Sequence, residues 1–224
     1  MDKAIVLVSG GMDSCVTAAI ANEKYNLIFL HANYKQRTEK RELKAFQDIA
    51  NFYNIQKRIV IDLGFLKEVG GSSLTDKSIE VEKGTDDSLG IPLTYVPFRN
   101  ANLLSQAVSW AEVLEARVIL IGAVEQDAPG YPDCRKSFYD AFNKVVELGT
   151  KPETDIIIEA PLINMHKGEI VRRGKELGAP MHLSWSCYTN EDKACGECSS
   201  CILRLNAFKE AGLKDPIEYI KSPK

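Results

Sequence analysis

A glycine-rich segment near the N-terminus, residues 9–14 with the sequence SGGMDS, has the composition of an anion-binding loop. It follows an apolar run over residues 4–8 that predicts a strand, and a helical pattern begins directly after it. Glycines allow a tight turn with exposed N–H groups, and a helix N-terminus adds unpaired amides and the positive end of its dipole. The hydroxyls of Ser9 and Ser14 could donate to phosphate oxygens. The simpler alternative is a strand-to-helix turn in which Asp13 or Ser14 is the N-cap.

Four of the six cysteines lie within fifteen residues near the C-terminus, at Cys187, Cys195, Cys198 and Cys201. Four thiolates close a tetrahedral structural zinc site, which folds a segment and performs no Lewis-acid chemistry. Cysteines at two-residue spacing also resemble part of an iron–sulfur run, although the C-x3-C-P completion is absent. The sequence therefore predicts a structural zinc ion in the tail, with an iron–sulfur cluster as the alternative.

The elements that must position these residues alternate along the chain. Short aliphatic runs predict strands at residues 4–8, 27–30, 58–61, 118–121 and 156–159. Helical patterns lie at residues 13–24, 39–53, 102–115, 136–148 and 167–177. Continuous apolar strands alternating with helices indicate a doubly wound α/β fold, with a mostly parallel sheet and helices on both faces.

Two regions depart from this alternation. Residues 64–98 form a connection that is too long for a plain linker, and either a substrate lid or a disordered surface excursion would explain it. From residue 184 onward the pattern changes to the cysteine cluster and a helix over about 201–211. We therefore expect an α/β domain over residues 1–183 and a small metal-binding subdomain over 184–224.

Composition narrows the class of function. Hydrophobic residues make up 45% of the chain and charged residues 26%, which excludes a disordered tail protein, and no apolar run is long enough to span a membrane. A formal net charge of −3 gives no global attraction for nucleic-acid phosphates. The N-terminus lacks the pattern of a targeting peptide. These features predict a cytoplasmic protein with small-molecule substrates, no membrane and no stable nucleic-acid partner.

The SGGMDS segment resembles the SGGxDS pyrophosphate loop of the N-type ATP pyrophosphatases. That resemblance implies cleavage of ATP to AMP and pyrophosphate with an adenylated intermediate. Residues 161–171, PLINMHKGEIV, are similar to the segment in which such enzymes place a lysine near the ATP phosphates, which makes Lys167 the expected phosphate partner. The ATP-binding residues that the resemblance implies are Val8, Ser9, Gly10, Gly11, Met12, Asp13, Ser14 and Cys15.

Further segments resemble one family within that superfamily, the QueC or ExsB family of 7-cyano-7-deazaguanine synthases. They are YKQR (34–37), KREL (40–43), VPFRN (96–100), GYPDCR (130–135) and WSCY (185–188) followed by CGECSSC. The resemblance covers nearly the whole chain. It implies conversion of 7-carboxy-7-deazaguanine to the nitrile preQ0 with ATP and ammonia in queuosine biosynthesis, a structural zinc ion, Mg²⁺ bound with ATP beside Asp13, and a homodimer.

Polar residues after the predicted strands lie where an open α/β sheet binds ligands, so they are candidates for substrate contact. The residues assigned to catalysis are Asp13, Lys167, Arg99 and Asp133. Those assigned to substrate binding are Asn100, Asp127, Tyr131 and Arg135. Ordinary turn chemistry around the prolines is the alternative for each residue taken singly.

Two positions depart from the family pattern. Met12 stands where a glutamine is common, at a position that contributes backbone more than side chain. Asn33 stands where an aspartate often occurs, which puts a metal role there in doubt.

Two other functions remain open at this stage. A tRNA-modifying sulfurtransferase of the same superfamily would need a reactive thiol, for which Cys15 and Cys134 are the candidates, although Cys134 suits a packed small residue better. A non-catalytic zinc-ribbon module would bind nucleic acid or protein through residues 185–212. That segment mixes acidic and basic residues and has no basic stripe.

Overall fold

A parallel sheet lies at the centre of the structure, a computed structural model that describes residues 1–84, 90–125 and 131–220. Its strands are β1 (Lys3–Leu7), β2 (Asn26–Asn33), β3 (Arg58–Asp62), β4 (Val118–Ile121) and β5 (Ile157–Glu159). All pairings are parallel, and the order across the sheet is β3-β2-β1-β4-β5. The predicted α/β fold is confirmed.

Helices cover both faces of the sheet. They are α1 (Met12–Asn22), α2 (Glu39–Phe52), α3 (Phe65–Val69), α4 (Arg99–Leu114), α5 (Lys136–Gly149), α6 (Lys167–Glu176) and α7 (Ser199–Glu210). Successive side chains of β1 point to opposite faces, so Ile5 packs with α4 and α5 while Val6 packs with α1 and α2. Burial on both faces explains why the strands are continuous apolar runs.

The carboxyl ends of β1 and β4 form the switch point of this topology. The chain leaves β1 toward β2 on one side, and β4 pairs with β1 on the other. Open α/β sheets bind ligands in the crevice at such a point. Gly122, directly after β4, allows a close approach here, because a Cβ at this residue would lie 3.0 Å from the Ser14 nitrogen. The site is therefore expected where β4 ends against the start of α1.

Two boundaries differ from the sequence-based expectation. The helix expected over 102–115 begins at Arg99, so Arg99 and Asn100 lie in the first turn of α4 and not in a loop. Within the long connection over 64–98, residues 65–69 form α3, and residues 85–89 lie outside the described ranges.

The C-terminal segment packs against the α/β layer at two places. Helix α7 contacts α6 so closely that a Cβ on Gly168 would lie 2.8 Å from the Glu210 Cβ. Trp185 and the clustered cysteines share a buried apolar group with Ala45 of α2. The division of the chain at residue 184 stays a prediction. Among the described helices, none is long and apolar enough to cross a membrane.

Candidate active site

A cavity of about 370 Å³ opens at the carboxyl ends of the central strands. Its walls combine Val8, most of the phosphate-loop segment (residues 9–14), the ends of β2 and β4, the start of α4, and residues from the C-terminal segment. Apart from the charged residues discussed below, the lining is largely apolar. One enclosed space therefore joins the predicted ATP residues to several of the predicted substrate residues.

The phosphate-loop segment turns through Gly10, which has a φ of +93°. A Cβ at this position would lie 2.6 Å from the Glu42 carbonyl oxygen, so only glycine fits without a shift of α2. The Gly10 carbonyl oxygen accepts a hydrogen bond of 2.8 Å from the Trp185 N–H. The C-terminal segment therefore fixes the turn from the opposite side.

Helix α1 begins directly behind this turn and has no side-chain cap. Its N-cap is Gly11, and helix geometry starts at Met12. The alternative in which Asp13 or Ser14 is the N-cap is therefore wrong. The Ser9 hydroxyl instead accepts the Gly11 N–H at 3.2 Å and donates to the Ser14 hydroxyl at 3.2 Å. The start of α1 thus faces the cavity as an anion-binding helix end.

Asp13 and Lys167 form an ion pair beside the loop. The Lys167 Nζ lies 2.6 Å from the Asp13 Oδ2, and the side chains are 15% and 26% exposed. The other carboxylate oxygen, Asp13 Oδ1, is buried without a hydrogen-bond partner. A free carboxylate oxygen next to an ammonium suits a bound Mg²⁺–phosphate group, because Mg²⁺ prefers oxygen ligands and phosphate takes the cation.

The first turn of α4 carries Arg99 and Asn100. The Arg99 guanidinium donates to the Tyr34 hydroxyl at 3.2 Å and lies over its ring at 5.5 Å, while remaining in the cavity lining. Asn100 is fixed by Asp133, whose Oδ2 accepts the Asn100 N–H at 2.9 Å and whose carbonyl oxygen accepts the Asn100 Nδ2 at 3.0 Å. Asp133 is 4% exposed and lies outside the cavity lining. Its geometry favours positioning of α4 over contact with a reactant.

Of the other residues predicted to bind substrate, only one is found in the cavity lining of the described structure. Tyr131 lines the cavity, with its hydroxyl 2.5 Å from that of Thr94 and its ring stacked on Tyr95 at 5.9 Å. Arg135 is exposed at the start of α5 and does not line the cavity. Asp127 lies outside the described residues, within 126–130.

Neither isolated cysteine has the environment of a reactive thiol. Burial raises the pKa of Cys15 to about 12. Burial, followed by the nearby Asp133 charge, raises the pKa of Cys134 to about 11, although Arg99 opposes it. Because the thiolate is the nucleophile, both groups are unreactive near neutral pH.

Sequence reasoning missed two cavity residues, His31 and Glu42. Both oxygens of the Glu42 carboxylate accept hydrogen bonds, from the Thr38 hydroxyl at 2.8 Å and from the Gln36 amide at 3.0 Å. Burial raises the pKa of Glu42 above its ordinary value. The available signals were the KREL segment that contains Glu42 and the presence of a histidine within a buried apolar strand.

The four-cysteine cluster fits a single tetrahedral metal ion. All four sulfurs lie within 4.8 Å of one another, and Cys195 Sγ is 3.8 Å from Cys201 Sγ. A tetrahedron with metal–sulfur bonds of about 2.3 Å has edges of about 3.8 Å, which matches this separation. An iron–sulfur cube would bind each thiolate to a different iron and spread the sulfurs further apart.

Backbone N–H groups already point at these sulfurs. Cys187 Sγ accepts from the Asn190 and Cys195 N–H groups at 3.4 Å each. Cys195 Sγ accepts from the Cys198 N–H at 3.3 Å, and Gly196 turns the intervening chain with a φ of +77°. These donors stabilise the negative charge of thiolate ligands.

Comparisons with known proteins agree with this arrangement. The family model described as queuosine biosynthesis protein QueC matches residues 3–212. Proteins named 7-cyano-7-deazaguanine synthase from Chlorobium phaeobacteroides and Chlorobaculum tepidum are 60% and 57% identical, over 99% of this chain and 98% of each relative.

Among solved structures, a predicted subunit of tRNA methyltransferase from Methanocaldococcus jannaschii is similar with a TM-score of 0.50 and 16% identity. The match covers 100% of this chain and 94% of that one. At this identity, the similarity shows the fold alone.

Proposed function

The chain belongs to the QueC family of queuosine biosynthesis proteins, and on that premise we propose that it converts 7-carboxy-7-deazaguanine, with ATP and ammonia, to 7-cyano-7-deazaguanine (preQ0). The named relatives make it an enzyme, and formation of a carbon–nitrogen bond makes it a ligase. We further propose that the reaction passes through adenylated intermediates.

The ion pair beside the phosphate loop is the observation that supports the proposed use of ATP. Asp13 and Lys167 come from helices far apart in sequence, yet both line the cavity at the switch point of the sheet. The unpaired Asp13 Oδ1 leaves room for a ligand that the protein itself does not supply. A nucleotide triphosphate with Mg²⁺ satisfies the loop amides, the lysine and the carboxylate together.

The chemistry explains why a carboxylate substrate needs ATP. A carboxylate oxygen is a poor leaving group, so attack of that oxygen on the α-phosphorus, with departure of pyrophosphate, gives an acyl adenylate. Ammonia then attacks the carbonyl carbon and AMP leaves with the original carboxylate oxygen, which gives the amide. A second adenylation on the amide oxygen, followed by loss of AMP and of the remaining nitrogen protons, gives the nitrile.

We assign roles to the residues that line the cavity. Lys167 would neutralise the leaving pyrophosphate, residues 8–15 would bind the nucleotide, and bound Mg²⁺ would supply charge neutralisation at the phosphates through Asp13. Arg99 would bind the substrate carboxylate, since it is a fixed guanidinium with an aromatic support. Tyr131 would contact the deazaguanine ring. Water exclusion and alignment then supply much of the rate enhancement.

The remaining assignments concern the position of α4, the metal and the assembly. Asn100 and Asp133 would hold the start of α4 in position. Asp127 and Arg135 stay predicted substrate contacts. In the tail, we propose zinc as the metal, because four thiolates at tetrahedral spacing form a closed structural site. We also propose a cytoplasmic enzyme, in keeping with reduced cysteines, and a homodimer, as the family resemblance implies.

A single incubation tests the reaction. Purified protein is mixed with ATP, ammonium chloride and 7-carboxy-7-deazaguanine labelled with ¹⁸O in the carboxylate. We expect the nitrile by mass spectrometry and the label in AMP, because the activated oxygen leaves with the phosphoryl group. Label found in inorganic phosphate would contradict adenylation even if the nitrile formed.

The sulfurtransferase alternative has a direct control. Replacing Cys15 and Cys134 by alanine, singly and together, should not abolish nitrile formation, because the raised pKa of each thiol leaves neither as a nucleophile. Sulfur transfer to tRNA that disappears in these variants would favour the alternative.

A further inference from the structure

His31, on β2, has one paired and one unpaired ring nitrogen. Its Nδ1 lies 2.9 Å from the Val8 carbonyl oxygen. A carbonyl oxygen only accepts hydrogen bonds, so Nδ1 carries the proton and Nε2 has the lone pair. The residue is 1% exposed, and Nε2 is buried without a hydrogen-bond partner, yet His31 belongs to the cavity lining. The buried acceptor therefore borders the space in which the reactants would bind.

The direction of this acceptor is fixed by packing. The imidazole stacks on Phe46 at 5.0 Å with an interplanar angle of 27°, while the hydrogen bond to Val8 prevents rotation of the ring. Burial lowers the pKa of His31 below its ordinary value, against opposing contributions from the Val8 carbonyl and the Asn33 side chain. Burial thus favours the neutral ring, which with its proton on Nδ1 presents a lone pair at Nε2.

Neighbouring polar atoms are also acceptors. Asn33 lies two residues further on the same face of β2 but outside the cavity lining, and its Oδ1 is buried without a partner. With the Asn33 amide in this orientation, Oδ1 offers no hydrogen to His31 Nε2. The Glu42 carboxylate, which lines the cavity, already accepts from Thr38 and Gln36. The His31 Nε2 lone pair therefore suits a ligand N–H that enters the cavity.

We propose that His31 Nε2 accepts a hydrogen bond from an amino group of a bound reactant. The identity of the reactants rests on the proposed function, under which three sources carry this chemistry: the 6-amino group of adenine, the 2-amino group of the deazaguanine, and ammonia. Val8 directly precedes the phosphate-loop segment, so the acceptor lies beside the bound nucleotide. His31 is then a residue that determines specificity for an amine.

The first test observes the unchanged protein. The chain contains only three histidines, so ¹⁵N-labelled imidazole signals can be assigned, and the exposed His182 is the internal reference. A non-hydrolysable ATP analogue, 7-carboxy-7-deazaguanine and ammonium chloride are added separately and in combination. We expect the His31 Nε2 signal to move toward the hydrogen-bonded position with the reactant that supplies the amine, while the His182 signal stays in place. No movement with any addition would overturn the proposal.

The second test uses variants and separates binding from structure. His31→Phe keeps a ring for Phe46 and removes the acceptor, His31→Gln restores an acceptor oxygen, and the exposed His182→Phe is the matched control. Calorimetric binding of the ATP analogue and of 7-carboxy-7-deazaguanine is measured with the KM for ammonia. We expect one ligand to weaken about tenfold to hundredfold in His31→Phe, with partial recovery in His31→Gln and no change in His182→Phe.

The ligand that weakens identifies the source of the amine. If it is ATP, purine riboside triphosphate, which lacks the 6-amino group, should bind the unchanged protein and His31→Phe equally. If the unchanged protein and His31→Phe bind all three reactants equally well, and His31→Phe differs only in a lower melting temperature, His31 is a packing residue and the proposal is wrong. If His31→Phe does not fold, His31→Gln in the same assays and the titration of the unchanged protein carry the test. Binding needs no turnover, so a failure to form nitrile would count against the proposed function and leave this test intact.

Discussion

The phosphate loop and the C-terminal segment differ in how completely their buried polar atoms are paired. In the C-terminal segment, Arg204 is 2% exposed and donates to both oxygens of Asp215, at 2.7 and 3.0 Å, and to the Met181 carbonyl. Around the loop, Asp13 Oδ1 and His31 Nε2 are buried without partners. Both regions border the same cavity.

Native proteins pair more than about nine in ten of their buried polar groups, so the exceptions require an explanation. The complete pairing around Arg204 is what a structural element needs. The incomplete pairing around the loop is what a binding site retains until its ligand arrives. The contrast therefore distinguishes a fully paired buried ion pair from a cavity wall that keeps hydrogen-bonding capacity for a ligand.

The two regions are nevertheless connected. The Trp185 N–H donates to the Gly10 carbonyl oxygen, and the Arg41 guanidinium stacks over the Trp185 ring at 4.4 Å. The Thr38 hydroxyl donates to the Cys187 carbonyl oxygen at 3.3 Å. The segment with the four cysteines should therefore support the loop geometry without contacting the phosphates.

Loss of the metal is expected to have the largest effect. Structural zinc contributes about 10–16 kcal/mol to folding in zinc-finger peptides, so Cys187→Ser or Cys201→Ser should release the metal and sharply lower the melting temperature. AMP release should fall as well, because Trp185 no longer fixes Gly10. Elemental analysis, thermal unfolding and an AMP assay measure the three effects, with Cys134→Ser as the control outside the cluster.

The metal content itself can contradict the assignment. One equivalent of zinc in a colourless protein is expected. Iron with a broad absorption at roughly 400 nm would indicate an iron–sulfur cluster instead. A metal-free variant that melts like the unchanged protein would remove the structural role.

Substitutions in and beside the phosphate loop should reduce activity and leave the stability of the protein almost unchanged. Asp13→Ala, Ser14→Ala and Lys167→Met should each reduce AMP formation at least about a hundredfold, because they remove charge or donors aimed at the phosphates. Circular dichroism and the melting temperature should stay close to those of the unchanged protein. Lys144→Met, an exposed lysine in an i,i+3 pair with Glu147, is the control. Retained turnover in all three variants would eliminate the loop as the ATP site.

The buried ion pair of the C-terminal segment should matter for stability alone. Arg204→Met leaves the Asp215 carboxylate buried without its partner, which should cost about 3–5 kcal/mol of unfolding free energy. Lys193→Met removes one member of the exposed pair with Glu218 and should cost no more than about 1 kcal/mol. Urea unfolding of both variants provides the comparison. Equal losses would show that the segment is not organised around Arg204.

Much of the fold and part of the candidate site could be predicted from the sequence. Continuous apolar runs predicted the parallel sheet, and the spacing of the four cysteines predicted that their sulfurs come together at a site that could hold a metal ion, because both signals are local. The start of α4 could not be predicted in the same way. Its N-cap is Phe98 at a φ of +55°, which is an unusual conformation for a bulky residue, and the partner that fixes the helix, Asp133, is distant in sequence.

Local sequence patterns also could not predict which buried polar atoms lack a hydrogen-bond partner. A histidine inside a strand gives no indication of which ring nitrogen lacks a partner, and Asp13 looked like a helix cap until the helix start was known. Whether a polar group is satisfied depends on atoms from several elements at once, so it becomes visible only in three dimensions.

The smallest predicted effect concerns the connection between the two regions. Gly10→Ala places a side chain at a φ of +93° and brings its Cβ within 2.6 Å of the Glu42 carbonyl oxygen, a contact with backbone that cannot swing away. Gly178→Ala is a matched control, since Gly178 has a φ of +64° and a Cβ there meets nothing within 4 Å. Left-handed backbone costs an alanine about 1–2 kcal/mol, so Gly178→Ala should lose about that much stability. Gly10→Ala should lose about 1–2 kcal/mol more, and it alone should weaken ATP binding, because relief of the contact must shift α2 or the Trp185–Gly10 hydrogen bond.

Urea unfolding and calorimetric titration with an ATP analogue measure the two differences. If both variants lose the same stability and ATP affinity is unchanged, α2 and the C-terminal segment can move away from the new side chain at little cost. The loop would then keep its conformation without their contacts.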